Sequence, residues 1–444
     1  MLRLLFLCLL PAALQAAPPD ATVVLRAARL FDARAGKLVS PGVVVVTGNK
    51  IVSVGPGGVP AGAKILDLGD ATLLPGFIDA HTHLAFTYSD DYNRSELDGL
   101  RKTVPELTLE ATANTTATLM AGFTTVRDVG SWHFVDVGLR NAILAGRIPG
   151  PRMLVSVHSI GSTGGHCDSG SGFREGLFGR ETGVSDGVIN GPEEARRAVR
   201  MNVKYGADVI KTCATGGVLS PTDDVDTPQL TQEELNALVD EAHALRRKTA
   251  AHAHGASGAK RAIRAGIDSI EHGSFLDDEA LALMQAKGTV FIPTLMATWW
   301  IGDRLERGVY YPPAIVAKAR LAIASVNAVV RKAVARGVVV GLGTDSGVYP
   351  HGKNAHEFAL LVNDGLSPAA ALQAGTLVDA ELLGLAQEIG TLEAGKLADI
   401  VAVPGDPLSD IRQTEKVFFV MRAGQVYRND RVNGRAVAVE QAVR

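Results

Sequence analysis

The sequence predicts an α/β fold, a (β/α)8 TIM-like barrel with a small discontinuous β-sandwich domain from the N- and C-terminal segments. Between residues 73 and 345, short apolar segments alternate with helical stretches, as parallel strands joined by crossover helices do. Polar residues gather at the carboxyl ends of these segments, where such barrels carry their sites. Short β-like segments precede residue 73 and follow residue 390, so we expect the two chain ends to share one sheet layer.

The composition fits one large domain with an appendage. The chain has 444 residues, 46% of them hydrophobic, so a sizeable core can be buried. A net charge of -3 does not favour a nucleic-acid-binding surface. We predict a signal peptide over 1–17, a β-sandwich domain over 18–73 plus 391–444, and a (β/α)8 barrel over 74–390.

The first 17 residues have the composition of a secretory leader. Arg3 precedes an apolar run over 4–10, and small residues follow it. This run is too short to span a membrane, so we expect a secreted or periplasmic protein with no membrane span in the mature chain. After cleavage, Cys167 and Cys213 remain, and the sequence is compatible with either one disulfide between them or two free thiols.

The strands and helices follow from local patterns. β-branched residues separated by turn residues predict sandwich strands at 22–28, 42–47, 50–55, 63–67, 398–403 and 417–421. Apolar segments predict barrel strands at 73–83, 122–128, 152–156, 208–211, 249–252, 269–272, 289–292 and 338–345. A capping box at 231–234 opens one helix, and other helices are predicted at 108–121, after 192, and at 353–364, 368–374 and 379–386.

The first barrel strand ends in His81 and His83, whose side chains point to the same side because they are two residues apart. Two histidines at this spacing can occur by chance or pack in the core as readily as they can bind a metal. Four further strand ends carry Lys211, His252, His272 and Asp345. Four imidazoles, one carboxylate and one lysine at one barrel mouth indicate a site for a divalent metal such as Zn, Mn, Fe or Co.

The sequence resembles the amidohydrolase superfamily of metal-dependent hydrolases over nearly all of the mature chain. The resemblance is carried by PGFIDAHTH at 75–83, IEHG at 270–273, GTD at 343–345 and GKLADIV at 395–401. The chain is most similar to the imidazolonepropionase-like branch, which includes Xaa-Pro and Xaa-Arg/Lys dipeptidases and ochratoxin-hydrolysing amidohydrolases. GGVLSPTDD at 216–224 is the segment that most indicates those peptidases.

The resemblance implies a binuclear centre with two divalent metal ions, zinc being the first choice. His81 and His83 would bind one metal with Asp345, and His252 and His272 would bind the other. Lys211, carboxylated by CO2, would bridge both metals. A carbamate is an anionic oxygen ligand, and its formation needs a neutral amine, which burial favours. Without a metal, Lys211 would instead pair with Asp128 or Asp208.

Five residues are predicted to contact the substrate. His254 lies two residues past His252 and competes with it for the metal, although the resemblance favours His252. His166, in the loop after strand 3, is the expected donor to a substrate carbonyl or carboxylate, and an exposed loop histidine is its alternative. Val218, Leu219 and Trp299 would form an apolar wall, although packing within its own loop is the more ordinary interpretation of Trp299.

The predicted function is metal-dependent hydrolysis of the amide bond of dipeptides or N-acyl amino acids, ochratoxin A included. Asp345 and Lys211 are the predicted catalytic residues, with Asp345 carrying the proton to the departing nitrogen. A cyclic amidase of the imidazolonepropionase or hydantoinase kind is the first alternative, which export disfavours, and a non-catalytic metal-binding protein is the second. The expected partners are a small-molecule amide and further copies of this chain, with an octamer as a candidate assembly.

Overall fold

A computed structural model describes residues 22–58, 60–432 and 435–436. Within these residues the chain forms a parallel barrel and a two-sheet β-sandwich, which confirms the predicted fold class. The predicted leader over 1–17 lies outside the described residues, as do 437–444 of the predicted sandwich segment.

Seven regular strands form most of the barrel, and all of their pairings are parallel. They are Phe77–Thr82, Phe123–Asp128, Arg152–Val155, Val209–Cys213, Lys248–Gly255, Ser269–Phe275 and Val290–Ile292. The third and fourth strands are joined through residues 155–160, since Ile160 N–H donates to the Lys211 carbonyl at 2.8 Å and Cys213 N–H to the Ile160 carbonyl at 2.8 Å.

Residues 338–346 close the barrel as an extended segment rather than as the regular eighth strand that the sequence predicted. Gly341 N–H donates to the Phe291 carbonyl at 2.9 Å, and Ala80 N–H donates to the Leu342 carbonyl at 2.9 Å. A Cβ on Gly343 would lie 2.3 Å from Ile292 Cγ2, so only glycine allows this close approach. The segment therefore bridges the seventh and first strands, which places Asp345 beside His81.

Helices cover the outside of the barrel. The longer ones are Tyr92–Arg101, Val104–Met120, Val135–Leu144, Pro192–Lys204, Gln232–Ala244, Ala256–Ala265, Asp278–Lys287, Leu295–Glu306, Pro313–Ala335 and His356–Asn363, followed by the short Pro368–Gln373 and Asp379–Leu382. The predicted capping box is present, because Thr231 Oγ1 accepts from Glu234 N–H at 3.2 Å. By length and composition Pro313–Ala335 alone among the described helices could cross a membrane, but it packs on barrel strand Ser269–Phe275.

The β-sandwich combines both ends of the described chain. One sheet contains Lys50–Val54, Gly42–Thr47, Thr22–Ala27 and Lys64–Asp67 in that order. The other contains Gln425–Asn429, Phe419–Arg422, Ile400–Pro404, Ala71–Pro75, Arg29–Asp32 and Lys37–Val39. Apolar side chains of the two sheets share one core, with Leu25, Val44, Leu73, Ile400 and Phe419 among its members.

The chain passes from the sandwich to the barrel at Gly76. The sequence predicted one strand over 73–83, and this is wrong: Ala71–Pro75 pairs with Ile400–Pro404 in the sandwich, whereas Phe77–Thr82 belongs to the barrel. A Cβ on Gly76 would lie 2.1 Å from Thr124 Oγ1, so the chain can change sheets there only with glycine.

Cys167 and Cys213 form a disulfide with a Cα–Cα distance of 5.8 Å, which decides between the two states that the sequence left open. The bridge links the loop that carries His166 to the strand that carries Lys211. It therefore ties the two segments together next to the cluster of polar strand ends.

Candidate active site

A cavity of about 1380 Å³ opens at the carboxyl ends of the barrel strands. The structure brings six residues predicted from strand ends to its floor: His81, His83, Lys211, His252, His272 and Asp345. Beside this floor, His272 at 69°, Thr294 at 48° and Asp345 at 60° have positive φ without being glycine. Such conformations cost free energy and gather at functional sites.

His81 is held from behind by a buried ion pair. Its Nδ1 lies 2.7 Å from Glu271 Oε2, and Glu271 Oε1 accepts from Arg127 Nη2 at 2.9 Å. Burial opposes ionisation of Glu271, but the charge of Arg127 and the hydrogen bond with His81 lower the pKa of Glu271 to about 2. An ionised Glu271 accepts the Nδ1 proton of His81, which leaves Nε2 free for a ligand. Burial, together with the charge of Lys211, lowers the pKa of His81 to about 4.

Asp345 contacts both histidines of the first strand. Its Oδ1 lies 3.5 Å from His81 Nε2 and 3.3 Å from His83 Nε2, while His83 Nδ1 donates to the Gly130 carbonyl at 3.0 Å. Burial alone would raise the pKa of Asp345, but His83, His81 and Lys211 hold it well below its usual range. Asp345 is therefore an anion that faces imidazole nitrogens, as a carboxylate ligand or proton acceptor requires.

Lys211 is buried, and its Nζ lies 3.4 Å from His81 Nε2. The predicted alternative of an ion pair is wrong: Asp208 pairs with Arg140, and Asp128 accepts from Leu84 N–H, so neither carboxylate meets Lys211 in the described part of the chain. Burial, helped by the charge of Arg127, lowers the pKa of Lys211 to about 8. A larger fraction of neutral amine is then present near neutral pH than for an exposed lysine.

Three histidines from the fifth and sixth strands lie together. The ring centroids of His252 and His272 are 4.4 Å apart, and those of His254 and His272 are 5.0 Å apart. His272 Nδ1 bonds Thr294 Oγ1 at 2.7 Å, and His254 Nδ1 bonds Ser274 Oγ at 2.9 Å. Burial lowers the pKa of all three below the usual value, so the rings are neutral and able to donate lone pairs.

The cluster fits divalent metal ions by its chemistry. Ligand atoms of His81, His272 and Asp345 lie within 4.8 Å of one another, and so do those of His252, His254 and His272. Neutral imidazoles with a carboxylate are the donor set of Zn, Mn or Fe sites. The sequence kept His254 outside the ligand set, whereas the geometry makes it a candidate beside His252, and its predicted contact with substrate stays a prediction.

The predicted substrate residues divide into two groups. His166, Val218, Leu219 and His254 line the cavity at the barrel mouth. Trp299 lines a separate cavity of about 490 Å³, where its ring centroid lies 4.6 Å from that of His356. The expectation that Trp299 walls the substrate pocket is therefore wrong. Helix Leu295–Glu306 begins directly after the seventh strand, and its rotation turns Trp299 towards helix His356–Asn363.

Sequence reasoning missed the residues behind the candidate ligands. Glu271 and Arg127 were given no role, nor was Asp79, which accepts from Thr344 Oγ1 at 2.5 Å and from Asn354 Nδ2 at 2.8 Å and so fixes the segment before Asp345. The available signal was a charged residue inside an apolar strand segment, because charges are seldom buried unless they are paired.

We predict that Glu271→Gln weakens metal binding about 10- to 100-fold, because the amide no longer fixes the proton on His81 Nδ1. It should also lower the free energy of unfolding by about 3–5 kcal/mol, since Arg127 keeps a buried charge without its partner. Isothermal titration with Zn²⁺ and urea unfolding of the metal-free protein measure the two effects. Glu279→Gln, which breaks an exposed pair with Lys260, is the matched control. Unchanged metal affinity in Glu271→Gln would exclude this role.

The closed parallel barrel and the histidine, lysine and aspartate cluster at its mouth define a barrel enzyme with a candidate divalent-metal centre. The chain belongs to the amidohydrolase family, whose sequence profile matches residues 72–428. It is a hydrolase that acts on amide bonds, as the sequence predicted.

Individual relatives support the predicted branch of the superfamily. An Xaa-Pro dipeptidase crystal structure with methionine bound in its active site is 37% identical, with a TM-score of 0.88 over 92% of this chain and 100% of that chain. Ochratoxinase from Aspergillus niger is 31% identical over 383 residues, 80% of this chain and 75% of ochratoxinase. Its crystal structure has a TM-score of 0.81, covering 94% of this chain and 98% of that chain.

Proposed function

We propose that the protein is a binuclear amidohydrolase that cleaves the amide bond of dipeptides or N-acyl amino acids and releases the C-terminal amino acid. The observation that carries this proposal is the meeting of four imidazoles, Asp345 and a partly neutral Lys211 on one cavity floor. Similarity to a dipeptidase and to ochratoxinase supports an amide beside a free carboxylate as the substrate.

In this proposal, His81, His83 and Asp345 would hold one divalent ion, most simply Zn²⁺, His252 and His272 would hold the other, and a carboxylated Lys211 would be a ligand of both. When bound, two such ions would supply a hydroxide at neutral pH and polarise the scissile carbonyl. Asp345 accepts the proton released at the attacking oxygen, since it is ionised and contacts His81 and His83. It then delivers the proton to the departing nitrogen, because an amide nitrogen leaves only as a neutral amine.

Three apolar residues in the cavity lining support a preference for apolar substrates. Val218, Leu219 and Ile301 line it, whereas Asp223 is already bonded to Lys318, Ser220 and Gln229 and so is not available to a basic side chain. Neither Asp224 nor Asp226 belongs to the described lining. Two acidic lining residues, Glu96 and Asp168, form no ion pair among the described residues, but the Asp168 carboxylate already accepts from Gly164 N–H, Gly170 N–H and Thr182 Oγ1.

We predict higher kcat/KM for bulky apolar N-acyl amino acids and dipeptides, ochratoxin A included, than for Xaa-Arg and Xaa-Lys. Amidation of the substrate carboxylate should lower kcat/KM strongly, because a site that desolvates a carboxylate must contain donors for it. Steady-state kinetics on matched acids and amides, with metal content measured on the same samples, tests both statements. Turnover of Xaa-Lys above the apolar series would contradict the preference and point to Glu96, and hydrolysis restricted to ring amides would favour the cyclic amidase.

We also propose that the protein is exported and forms a homo-oligomer. The Cys167–Cys213 disulfide and the leader-like residues 1–17 support an oxidising compartment. Intact mass of the purified protein and static light scattering check the two statements. Recovery of the uncleaved chain in the cytosol, or a monomeric mass, would reject the corresponding one.

A further inference from the structure

The side chain of His166 belongs to a hydrogen-bonded chain that leads away from the cavity. Its Nδ1 lies 2.9 Å from Ser220 Oγ, and its backbone N–H donates to Gln229 Oε1 at 2.9 Å. The ring centroid lies 4.2 Å from that of His252, so His166 stands at the edge of the candidate metal cluster. Nδ1 is thereby occupied, and Nε2 is the ring nitrogen left for the cavity that His166 lines.

The surroundings of Ser220 decide which atom carries the proton between Ser220 and His166. Besides His166, Ser220 Oγ has two neighbours, Asp223 Oδ1 at 2.5 Å and the Gly217 carbonyl at 3.1 Å. Both are acceptors, so the single hydroxyl proton must go to one of them. Ser220 Oγ can then only accept from His166, which places a proton on Nδ1.

Asp223 is held as an acceptor by donors on every side. Its carboxylate accepts from Lys318 Nζ at 3.1 Å, from Gln229 Nε2 at 2.8 Å and from Gly217 N–H at 3.3 Å. Only 7% of the Asp223 side chain is exposed, so water does not replace these partners. A carboxylate in this position keeps the Ser220 hydroxyl directed towards itself.

Packing against neighbouring residues also fixes the position of the His166 ring. A Cβ on Gly217 would lie 2.2 Å from both Nδ1 and Cε1 of His166, so the ring lies directly against this backbone. The Cys167–Cys213 disulfide holds the next residue to the strand of Lys211. The ring therefore has little freedom to turn Nδ1 towards the cavity.

We propose that Ser220 and Asp223 are positioning residues that keep the proton of His166 on Nδ1, so that Nε2 accepts a hydrogen bond from the N–H of the scissile amide. The proposal deepens the proposed function and rests on it for the identity of the substrate. It reverses the role expected from the sequence, in which His166 donates to a carbonyl or carboxylate. It also assigns a selectivity: secondary amides should be preferred to N-methyl and prolyl amides, which lack this N–H. In this respect the chain would differ from the Xaa-Pro dipeptidase that it resembles.

The test compares an N-acyl phenylalanine, its N-methyl analogue and its carboxamide across the unmodified enzyme and variants. We expect Ser220→Ala and His166→Ala to lower kcat/KM about tenfold for the N–H substrates while leaving the N-methyl analogue unaffected, the size of one lost hydrogen bond. Ser220→Thr, which keeps the hydroxyl, should restore the difference in kcat/KM between the N–H substrates and the N-methyl analogue. Asp224→Asn, which removes an exposed charge one residue from Asp223, is the control that should change nothing.

Two kinetic outcomes would overturn the proposal. If the variants lose kcat/KM only on substrates with a free carboxylate, His166 is a donor to that carboxylate. If they lose kcat/KM equally on all three compounds, the role of His166 is structural. Nitrogen-15 NMR of histidine-labelled protein tests the same point without activity. We expect a protonated Nδ1 and an unprotonated Nε2 for His166, with Asp223→Asn or Ser220→Ala shifting the proton. A proton on Nε2 in the unmodified protein refutes the proposal, whereas failure to hydrolyse the compounds with the expected NMR result refutes only the proposed function.

Discussion

Lys211→Ala should remove most of the bound metal and lower kcat/KM at least about 1000-fold, which corresponds to about 4 kcal/mol. The reason is the position of the amine, buried 3.4 Å from His81 Nε2 with a pKa lowered to about 8. Loss of a bridging carbamate would leave two nearby cations without a shared anionic ligand. Metal content by mass spectrometry and kinetics on one preparation measure both effects.

The structure offers sharp controls for this experiment. Lys211→Arg keeps a cation but cannot form the carbamate, so it should fail like alanine, whereas short carboxylic acids should partly rescue Lys211→Ala by occupying the vacated space. Lys204→Ala, at the exposed end of helix Pro192–Lys204, should leave activity and metal content unchanged. Full activity with two metals retained in Lys211→Ala would remove Lys211 from the centre.

Asp345→Asn should lower kcat by several orders of magnitude while at least one metal ion is retained. The carboxylate that contacts His81 and His83 is the proposed carrier of the proton, and an amide cannot accept it. Asparagine is the suitable replacement because Asp345 has φ of 60°, a conformation that asparagine tolerates and alanine does not. The variant therefore changes the chemistry without adding backbone strain.

Pre-steady-state kinetics and metal analysis of Asp345→Asn separate the proton-transfer role from ligand binding. Asp303→Asn, at a partly exposed position of helix Leu295–Glu306 in contact with Arg304 and Arg307, is the matched control for the same change. A fall in kcat below about tenfold, or 1.4 kcal/mol in the barrier, would mean that another group moves the proton. Loss of all metal would assign Asp345 to ligand binding first.

Local patterns were enough to predict much of the barrel. Strand segments such as 122–128 and 269–272 were recognised because buried parallel strands are short, apolar and bounded by turns. The six polar residues at five strand ends could be grouped from the sequence alone, because parallel strands with helical crossovers bring all carboxyl ends to one face. The family resemblance then supplied their expected roles.

Features that depend on packing between distant segments could not be predicted from the sequence. The apolar run over 73–83 looks continuous, yet Gly76 divides it, because the contact with Thr124 and the pairing with Ile400–Pro404 are set by the fold. Trp299 was assigned to the wrong cavity because a short segment after a strand does not reveal the rotation of the helix that it begins.

By itself, the sequence determined the fold class, the family and the residues at the barrel mouth, because all three depend on periodicity and on residues read in order. Only the tertiary structure decided which residues hydrogen-bond to these side chains and hold them in place. The pairing of Glu271 with His81, 190 positions apart, and of His166 with Ser220, 54 positions apart, fixes where protons reside. These contacts follow from the packing of whole strands and loops, and a hydrogen bond forms or fails over a fraction of an ångström, which no local pattern specifies.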